Sequence, residues 1–424
     1  MNSALISAVR GMRDILPEQI GAWQRLEKTA ATCFHSYGYR ELRTPLVEQL
    51  ELFTRQIGET TDVVQKEMYR FTDAANGEQV ALRPEATVST VRALLAAGKQ
   101  RGGTVRVWYG GPMFRHERPQ KGRYRQFHQL GAEALGSSDP TLDAEQIIML
   151  ARLWQVLGVH DKLRLDINNL GNRRERACHR EKLTAYFQKH REALDEDARQ
   201  RIESNPLRIL DSKNPVTLEI AANAPALADE LGADSQRHAE QVKEKLTAAN
   251  VAFNENAHLV RGLDYYNLTV YEWSLADDGR RQNTVCGGGR YDGLAENIGG
   301  DAFPGCGFAL GMERIIDILP PEAPAALADC FVALTDSGTA ATAVADRIAE
   351  DCRDRGLAVW RHVGGGNIGK QIKKADTMGI PLVIIIGADE IEGDYITVKR
   401  LLDGKQQQTA VNDAAIVSRR LLDA

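Results

Sequence analysis

The sequence has no apolar run near the roughly 18 residues that a membrane-spanning helix needs, which argues against a helical membrane protein. Its first residues offer only the short stretch Ala4 to Val9 before Arg10, too brief for the core of a secretory signal. Without an export signal, Asn267-Leu268-Thr269 reads as a chance glycosylation sequon. Cysteines are few and scattered: six, at positions 33, 178, 286, 306, 330 and 352, with no Cys-x-x-Cys pair. That spacing speaks against a disulfide framework and a structural zinc site, and the expected location is the reducing cytoplasm. No internal repeat or low-complexity tract is present. There is no basic excess either: 53 Lys and Arg stand against 58 Asp and Glu, a net charge of −5. A nucleic-acid partner usually leaves a basic footprint, so the total lends that class no support. A total, however, does not locate charge.

What remains is ordinary for a globular chain: 424 residues, 43% apolar and 26% charged. At about 150 residues per domain, this length suggests two or three domains, each able to bury a core. Ile20, Trp23, Leu26, Ala30 and Phe34 recur at helical spacing, and after Gly38 an extended run Arg40 to Thr44 stops at Pro45. Strand-like runs follow at Val105 to Tyr109, Phe127 to Leu135 and Leu163 to Ile167, with an amphipathic helix from about Asp143 between the last two. Helices set among antiparallel strands predict an α+β or mixed domain over residues 1–170. From 171 to 256 the chain is rich in charge and helix formers, which predicts a helical insertion. Strand patterns resume over 257–325 and complete the first domain. After the Pro320-Pro321-Glu322-Ala323-Pro324 linker, residues 328–424 alternate strands with helices, the rhythm of a small parallel α/β domain.

Gly364-Gly-Gly-Asn-Ile-Gly369 fits the dinucleotide pattern G-x-G-x-x-G, with Asp389 and Glu390 about 20 residues on. Extended to Lys370 it also fits seven places of a phosphate-binding P-loop, but Gln371 stands where Ser or Thr would contact magnesium. The domain holds only half of a dinucleotide fold, and any βα turn can use such glycines. A plain turn is the better reading.

The densest chemistry lies from Gly111 to Phe127. Arg115 to Arg125 carries five basic residues and one acid, a local balance of +4, in what reads as a long hairpin loop. The planar fork of arginine suits phosphate, and interleaved aromatics suit base stacking. A solvated hairpin tip explains this loop alone equally well. Two further arginines lie beside similar features. Arg261-Gly-Leu-Asp-Tyr-Tyr266 sets a cation and two aromatics before a strand, and Arg314 sits in a helix first turn, where the macrodipole opposes it.

Phe114-Arg115-x-Glu117 resembles the second signature motif of class II aminoacyl-tRNA synthetases, and Gly307-Phe-Ala-Leu-Gly-Met-Glu-Arg314 the third. The helix and strand ending at Pro45 resemble the degenerate first. Arg261 to Tyr266 and Gly288-Gly-Arg-Tyr-Asp-Gly293 are similar to two signatures peculiar to histidyl-tRNA synthetases, as are Arg10 to Pro17 and Leu82-Arg-Pro-Glu-Ala-Thr87. The resemblance covers the whole chain in order. It implies a class II antiparallel-sheet catalytic domain with a helical insertion, followed by a C-terminal α/β anticodon-binding domain.

The resemblance also implies roles. The family forms histidyl adenylate from L-histidine and ATP, then transfers the histidyl group to the 3′ end of tRNA(His). The amino acid's carboxylate attacks the α-phosphorus, so positioning and charge stabilisation replace a protein nucleophile. Arg115 is expected on the α-phosphate and Glu117 on the adenine amino group. Phe127 and Arg314 would sandwich adenine, with Arg123 near the outer phosphates. Arg261 would bridge the histidine carboxylate and the α-phosphate, a role a metal takes in related enzymes; no protein-held metal is expected, and Mg2+ would accompany ATP. Glu85, Thr87 and Gln129 are expected to hold the α-ammonium. Glu133 and Tyr266 would grip the imidazole nitrogens, with Tyr291 closing the pocket. Taken singly, Glu85 is also explained as a helix first-turn acid, and the tyrosines as core aromatics. Gln120, Arg118 and Arg125 are expected to meet the tRNA acceptor end, Gln120 on an additional 5′ guanosine. Arg173, Arg174, Arg176 and Arg180 suit acceptor-stem phosphates or a solvated helix face. A cytoplasmic homodimer follows from the same resemblance. The alternative is a catalytically inactive relative serving as a regulatory or sensing subunit, which usually loses motif arginines; Arg115, Arg261 and Arg314 are all present here.

Overall fold

The structure is a computed structural model and describes residues 5–57, 63–119, 122–210, 212, 214–261, 263, 265–276, 283–321, 326–335 and 337–424. Two compact units divide it, Met1–Pro321 and Glu322–Ala424. Among the described residues, no helix is long and apolar enough to cross a membrane.

In the first unit, α1 (Pro17–Ser36) buries Trp23, Leu26, Ala30 and Phe34 along one stripe, while Ile20, on the same spacing, stays 36% exposed. The chain turns at Gly38 (φ +80°) into β1 (Arg40–Glu41). A small sheet follows, formed by β2 (Val47–Gln49), β3 (Arg70–Thr72) and β4 (Gln79–Leu82), with α2 (Leu50–Ile57) between the first two and α3 (Thr87–Ala96) after the last. Next comes a long hairpin of β5 (Val105–Phe114) and β6 (Gln126–Leu135), paired from Val105–Leu135 to Phe114–Gln126. The helix expected near Asp143 begins earlier, as α4 (Pro140–Leu157): Asp139 accepts the Thr141 N–H as a cap, and Gly158 at φ +70° ends it.

After β7 (Leu163–Asn169), the predicted insertion folds as α5 (Arg173–Lys189), α6 (Glu196–Ser204), α7 (Pro215–Ala222) and α8 (Ala233–Ala248). Asn172, Asp195 and Asn214 cap the first three, and Leu183, Phe187, Ala198 and Ile202 give the insertion a core of its own. The chain returns through β8 (Asn254–Glu255), β9 (Asn267–Leu275), β10 (Thr284–Arg290), α9 (Leu294–Asn297), β11 (Gly305–Gly311) and α10 (Met312–Ile316).

The large sheet has the order β1-β5-β6-β11-β10-β9-β7-β8, antiparallel except for the β1–β5 and β7–β8 edges. Strand alternation divides its faces. Leu130, Ala132 and Ala134 of β6, Phe308 and Leu310 of β11, and Trp273 of β9 share one core with α1 and α4. Phe127, Gln129 and Glu133, the alternate residues of β6, take the opposite face.

The second unit runs β12 (Cys330–Leu334), α11 (Thr339–Asp354), β13 (Val359–Arg361), α12 (Ile368–Thr377), β14 (Leu382–Ile386), α13 (Ala388–Glu392), β15 (Tyr395–Arg400), β16 (Gln406–Ala410) and α14 (Ala414–Leu422). Its sheet order is β13-β12-β14-β15-β16. The parallel rhythm holds for the first three strands, but β15 and β16 add an antiparallel hairpin. Gln406 to Gln408 supply no apolar alternation, so this edge strand carries no sequence signal. In the Gly364 loop, the Gly366 N–H donates to Thr335 (3.1 Å), and the buried Gln371 amide bonds both main-chain groups of Leu334. Gln371 thus braces the loop against β12, as a turn requires.

Candidate active site

The β5–β6 hairpin and the end of β11 wall a cleft of about 160 Å³ lined by Arg115, Glu117, Arg123, Phe127, Arg261 and Arg314, among others. Arg115 donates from Nε to the Pro84 carbonyl (2.9 Å), which holds its guanidinium 5.3 Å from the centre of the Phe127 ring. Glu117 and Arg123 pair at 2.9 Å across the loop. Arg314 leaves its short helix to donate to the carbonyls of Gly122 (3.3 Å) and Thr284. Burial, then the neighbouring Arg123, lowers its pKa, so four guanidinium groups converge on one cleft without enough anions. Such a site favours a polyanion. Its neighbour Glu313 faces the other way, accepting the His128 N–H at 3.0 Å.

Deeper on the same face lies Glu133, fully buried. Thr87 (2.7 Å) and Tyr109 (3.2 Å) donate hydroxyls to its Oε1, and Tyr291 donates to Oε2. Burial pushes this carboxyl up to about 8 despite those bonds. The register sets Glu133 opposite Gly307, and a β-carbon there would overlap the carboxylate. Gly131 likewise makes room for Tyr109, and Gly287 for the Arg261 guanidinium, so these polar groups pack directly on main chain. Glu85 accepts the N–H groups of Thr87 (2.7 Å) and Val88 (3.0 Å), and so caps α3 from just ahead of it. Burial raises its pKa as well. Gln129 presents a buried Oε1 with no protein partner.

Arg261 joins the two regions. It pairs with Glu272, which also accepts the Thr284 hydroxyl at 2.8 Å, and its guanidinium carbon lies 5.6 Å from the Tyr266 ring centre. Burial opposes the charge, but Glu272 more than offsets it and holds the pKa above the ordinary value. Its Nε is buried with no partner. Tyr266 packs on Tyr265 at 4.6 Å between centroids, and Tyr265 on Tyr291 at 5.8 Å. On the far side of Arg261 opens a cavity of about 610 Å³, lined also by Tyr266 and by Arg173, Arg176, Arg180 and Arg208.

Every expected histidine- and ATP-site residue therefore borders one of these regions. Of the acceptor-end set, Arg118 is exposed, Arg125 donates its N–H to the Gly11 carbonyl (2.7 Å), and Gln120 lies outside the described residues. Three contributors escaped sequence reasoning. Tyr109 lies in the strand-like run Val105 to Tyr109, and Glu272 is the one charged residue of β9. Arg290, although inside a recognised motif, anchors the tyrosine that follows it. Fully buried, it pairs with Asp143 and with Asp292 (3.0 Å) and donates to the Ser137 carbonyl (3.0 Å).

Residues 11–315 match the family model for histidyl-tRNA synthetase, and residues 329–418 that for an anticodon binding domain. The chain belongs to the histidyl-tRNA synthetase family. It is 51% identical over 405 residues to the histidine–tRNA ligase of Nitrosomonas europaea, covering 95% of this chain and 96% of that one. The enzyme of the same name from Laribacter hongkongensis is 48% identical over 410 residues, again 95% and 96% of the two chains. Among solved structures, apo histidyl-tRNA synthetase of S. aureus superposes with a TM-score of 0.83 at 31% identity, over 98% of this chain and 100% of that one. The class II fold expected from the motifs is thus the fold of the family.

Proposed function

We propose that this chain is a histidine–tRNA ligase: it activates L-histidine with ATP to histidyl adenylate and transfers the histidyl group to the 3′ end of tRNA(His). The observation that carries this reading is the position of Arg261, which lines the arginine-walled cleft and lies 5.6 Å from the ring of Tyr266, beside the pocket that holds Glu133. One guanidinium there can hold a carboxylate on one side and a phosphate on the other.

In this reading ATP enters the cleft with adenine between Phe127 and Arg314 and its amino group toward Glu117. Arg115 takes the α-phosphate and Arg123 the outer phosphates, so Arg123 exchanges its pairing with Glu117 for the nucleotide. Histidine sits beside Glu133, its α-ammonium met by Glu85, Thr87 and Gln129. Its imidazole lies between Glu133 and Tyr266, with Tyr291 closing the pocket. An isostere lacking either ring nitrogen leaves a buried polar group unpaired, which is the basis of selection. The histidine carboxylate attacks the α-phosphorus and pyrophosphate leaves; Arg115 and Arg261 stabilise the charge that gathers on the phosphate oxygens. No protein nucleophile is needed, and burial keeps the nearby Cys286 as a thiol.

Mg2+ would arrive with ATP and neutralise charge on its outer phosphates. The acids beside the cleft fit that role for the nucleotide rather than a protein-held ion: Glu117, Glu272 and Glu313 already engage Arg123, Arg261 and His128. Gln120, Arg118 and Arg125 would meet the acceptor end, and residues 329–418 the anticodon. A cytoplasmic homodimer belongs to the same proposal. The free state of all six cysteines supports the location, and the exposed Leu46, Val47 and Phe71 support a second copy.

The test is ATP–pyrophosphate exchange by the full chain, amino acid by amino acid. Exchange with histidine is expected; exchange with another amino acid and none with histidine overturns the assignment.

A further inference from the structure

Arg176 stands on the insertion, yet its guanidinium donates from Nη1 to the main-chain carbonyl of Tyr266. Arg180, one turn along the same helix, instead donates to the carbonyls of Glu203 and Ser204, both at 3.1 Å, and ties the insertion to itself. The Tyr266 carbonyl begins a segment held at three successive residues. Asn267 donates from Nδ2 to Asp292 (3.1 Å) and accepts the Asp292 N–H at 2.9 Å. Leu268 donates its N–H to the Gly171 carbonyl (2.9 Å) and accepts the Leu170 N–H (2.7 Å).

Leu268 has φ +47°, a region that residues with a β-carbon avoid. Such a conformation persists only where its surroundings over-determine it. Here the surroundings are the residues at which the chain enters the insertion, with Gly171 itself at φ +66°. The insertion therefore grips one short segment twice, through its entry and through Arg176, and the first residue of that segment carries the ring of the imidazole pocket.

We propose that Arg176 is a positioning residue for histidine: through the Tyr266 carbonyl, the insertion sets the ring that meets the imidazole. The inference rests on the histidine-activating reading and assigns Arg176 a task separate from binding tRNA phosphates. ATP–pyrophosphate exchange needs no tRNA, so a residue that only touches tRNA is silent in it.

The experiment is exchange without tRNA, with KM measured separately for histidine and ATP in full-length protein. Losing one hydrogen bond to the pocket wall is expected to raise the histidine KM of Arg176→Ala about fivefold. The ATP KM stays within about twofold, since no contact in the nucleotide cleft changes. Arg176→Lys recovers part of the loss, because an ammonium can still reach a carbonyl. Arg201→Ala, on the exposed surface of α6 in the same insertion, leaves the histidine KM unchanged. If Arg176→Ala fails to fold, Arg176→Gln is judged by the same ratio. An unchanged histidine KM, or equal loss for both substrates, overturns the inference even where tRNA charging falls. Absence of histidine exchange in the unmodified protein overturns the functional reading instead.

Discussion

The carboxylate of Glu133 rests against the Cα of Gly307 on the adjacent strand, in space that a β-carbon would occupy. Gly307→Ala is therefore expected to push Glu133 away from Thr87 and Tyr291, at a cost of about 1–3 kcal/mol from overpacking. Histidine KM in pyrophosphate exchange should rise far more than ATP KM, with a lower melting temperature. A variant with native histidine KM would show that the carboxylate is free to take another position.

Glu133 also makes stability depend on pH. The folded chain holds its proton up to about pH 8, whereas the unfolded chain releases it near the ordinary 4.5. Between those values the folded state binds the extra proton, so this residue's contribution to stability is complete below about pH 4.5 and declines as pH rises toward 8. Glu133→Gln removes that decline. Denaturation of both proteins from pH 5 to 8 should show the variant gaining on the wild type by as much as ~1.4 kcal/mol per pH unit. A pH-independent difference would mean that the carboxyl is ionised throughout.

Arg261→Lys keeps the charge but loses the planar fork that serves two anions at once. We expect histidine-dependent exchange to fall by roughly tenfold or more, as for loss of a charge-assisted bidentate contact in the transition state. Near-normal exchange would sink the bridging role.

Each unit has its own apolar core, the second built on Val332, Ile348, Ile384 and Val398. Removal of residues 326–424 should accordingly leave histidine-dependent exchange measurable while tRNA charging falls steeply. Complete loss of exchange from a folded truncated protein would tie the second unit to activation itself.

Asp143→Asn strands the buried Arg290 guanidinium, which is expected to cost about 3–5 kcal/mol. Glu41→Gln, breaking an ion pair with an exposed Arg43, should leave the melting temperature unchanged. Equal effects of the two would show that Asp292 and the Ser137 and Asp139 carbonyls support Arg290 without Asp143.

Much of this architecture is legible in the sequence where the signal is local. The α1 stripe and the β6 strand are each written within a single element. Motif residues such as Arg115 and Arg314 are legible by resemblance. What escapes is chemistry assembled across distance. Arg261 finds Glu272 only because β9 folds back beside it, and Arg176 meets Tyr266 across 90 residues. The β15–β16 hairpin escapes for another reason: β16 is exposed on one face and only half-buried on the other, so it demands no apolar period.

The glycines under the pocket have a thermodynamic consequence. Where Gly131, Gly287 and Gly307 lie beneath it, Tyr109, Arg261 and Glu133 seat their polar groups directly on main chain fixed by sheet hydrogen bonds, with few torsions left to freeze. Ordering a flexible side chain on binding costs about 0.5–1.5 kcal/mol, and this surface is spared that loss. The entropy of shaping it was spent when the sheet folded.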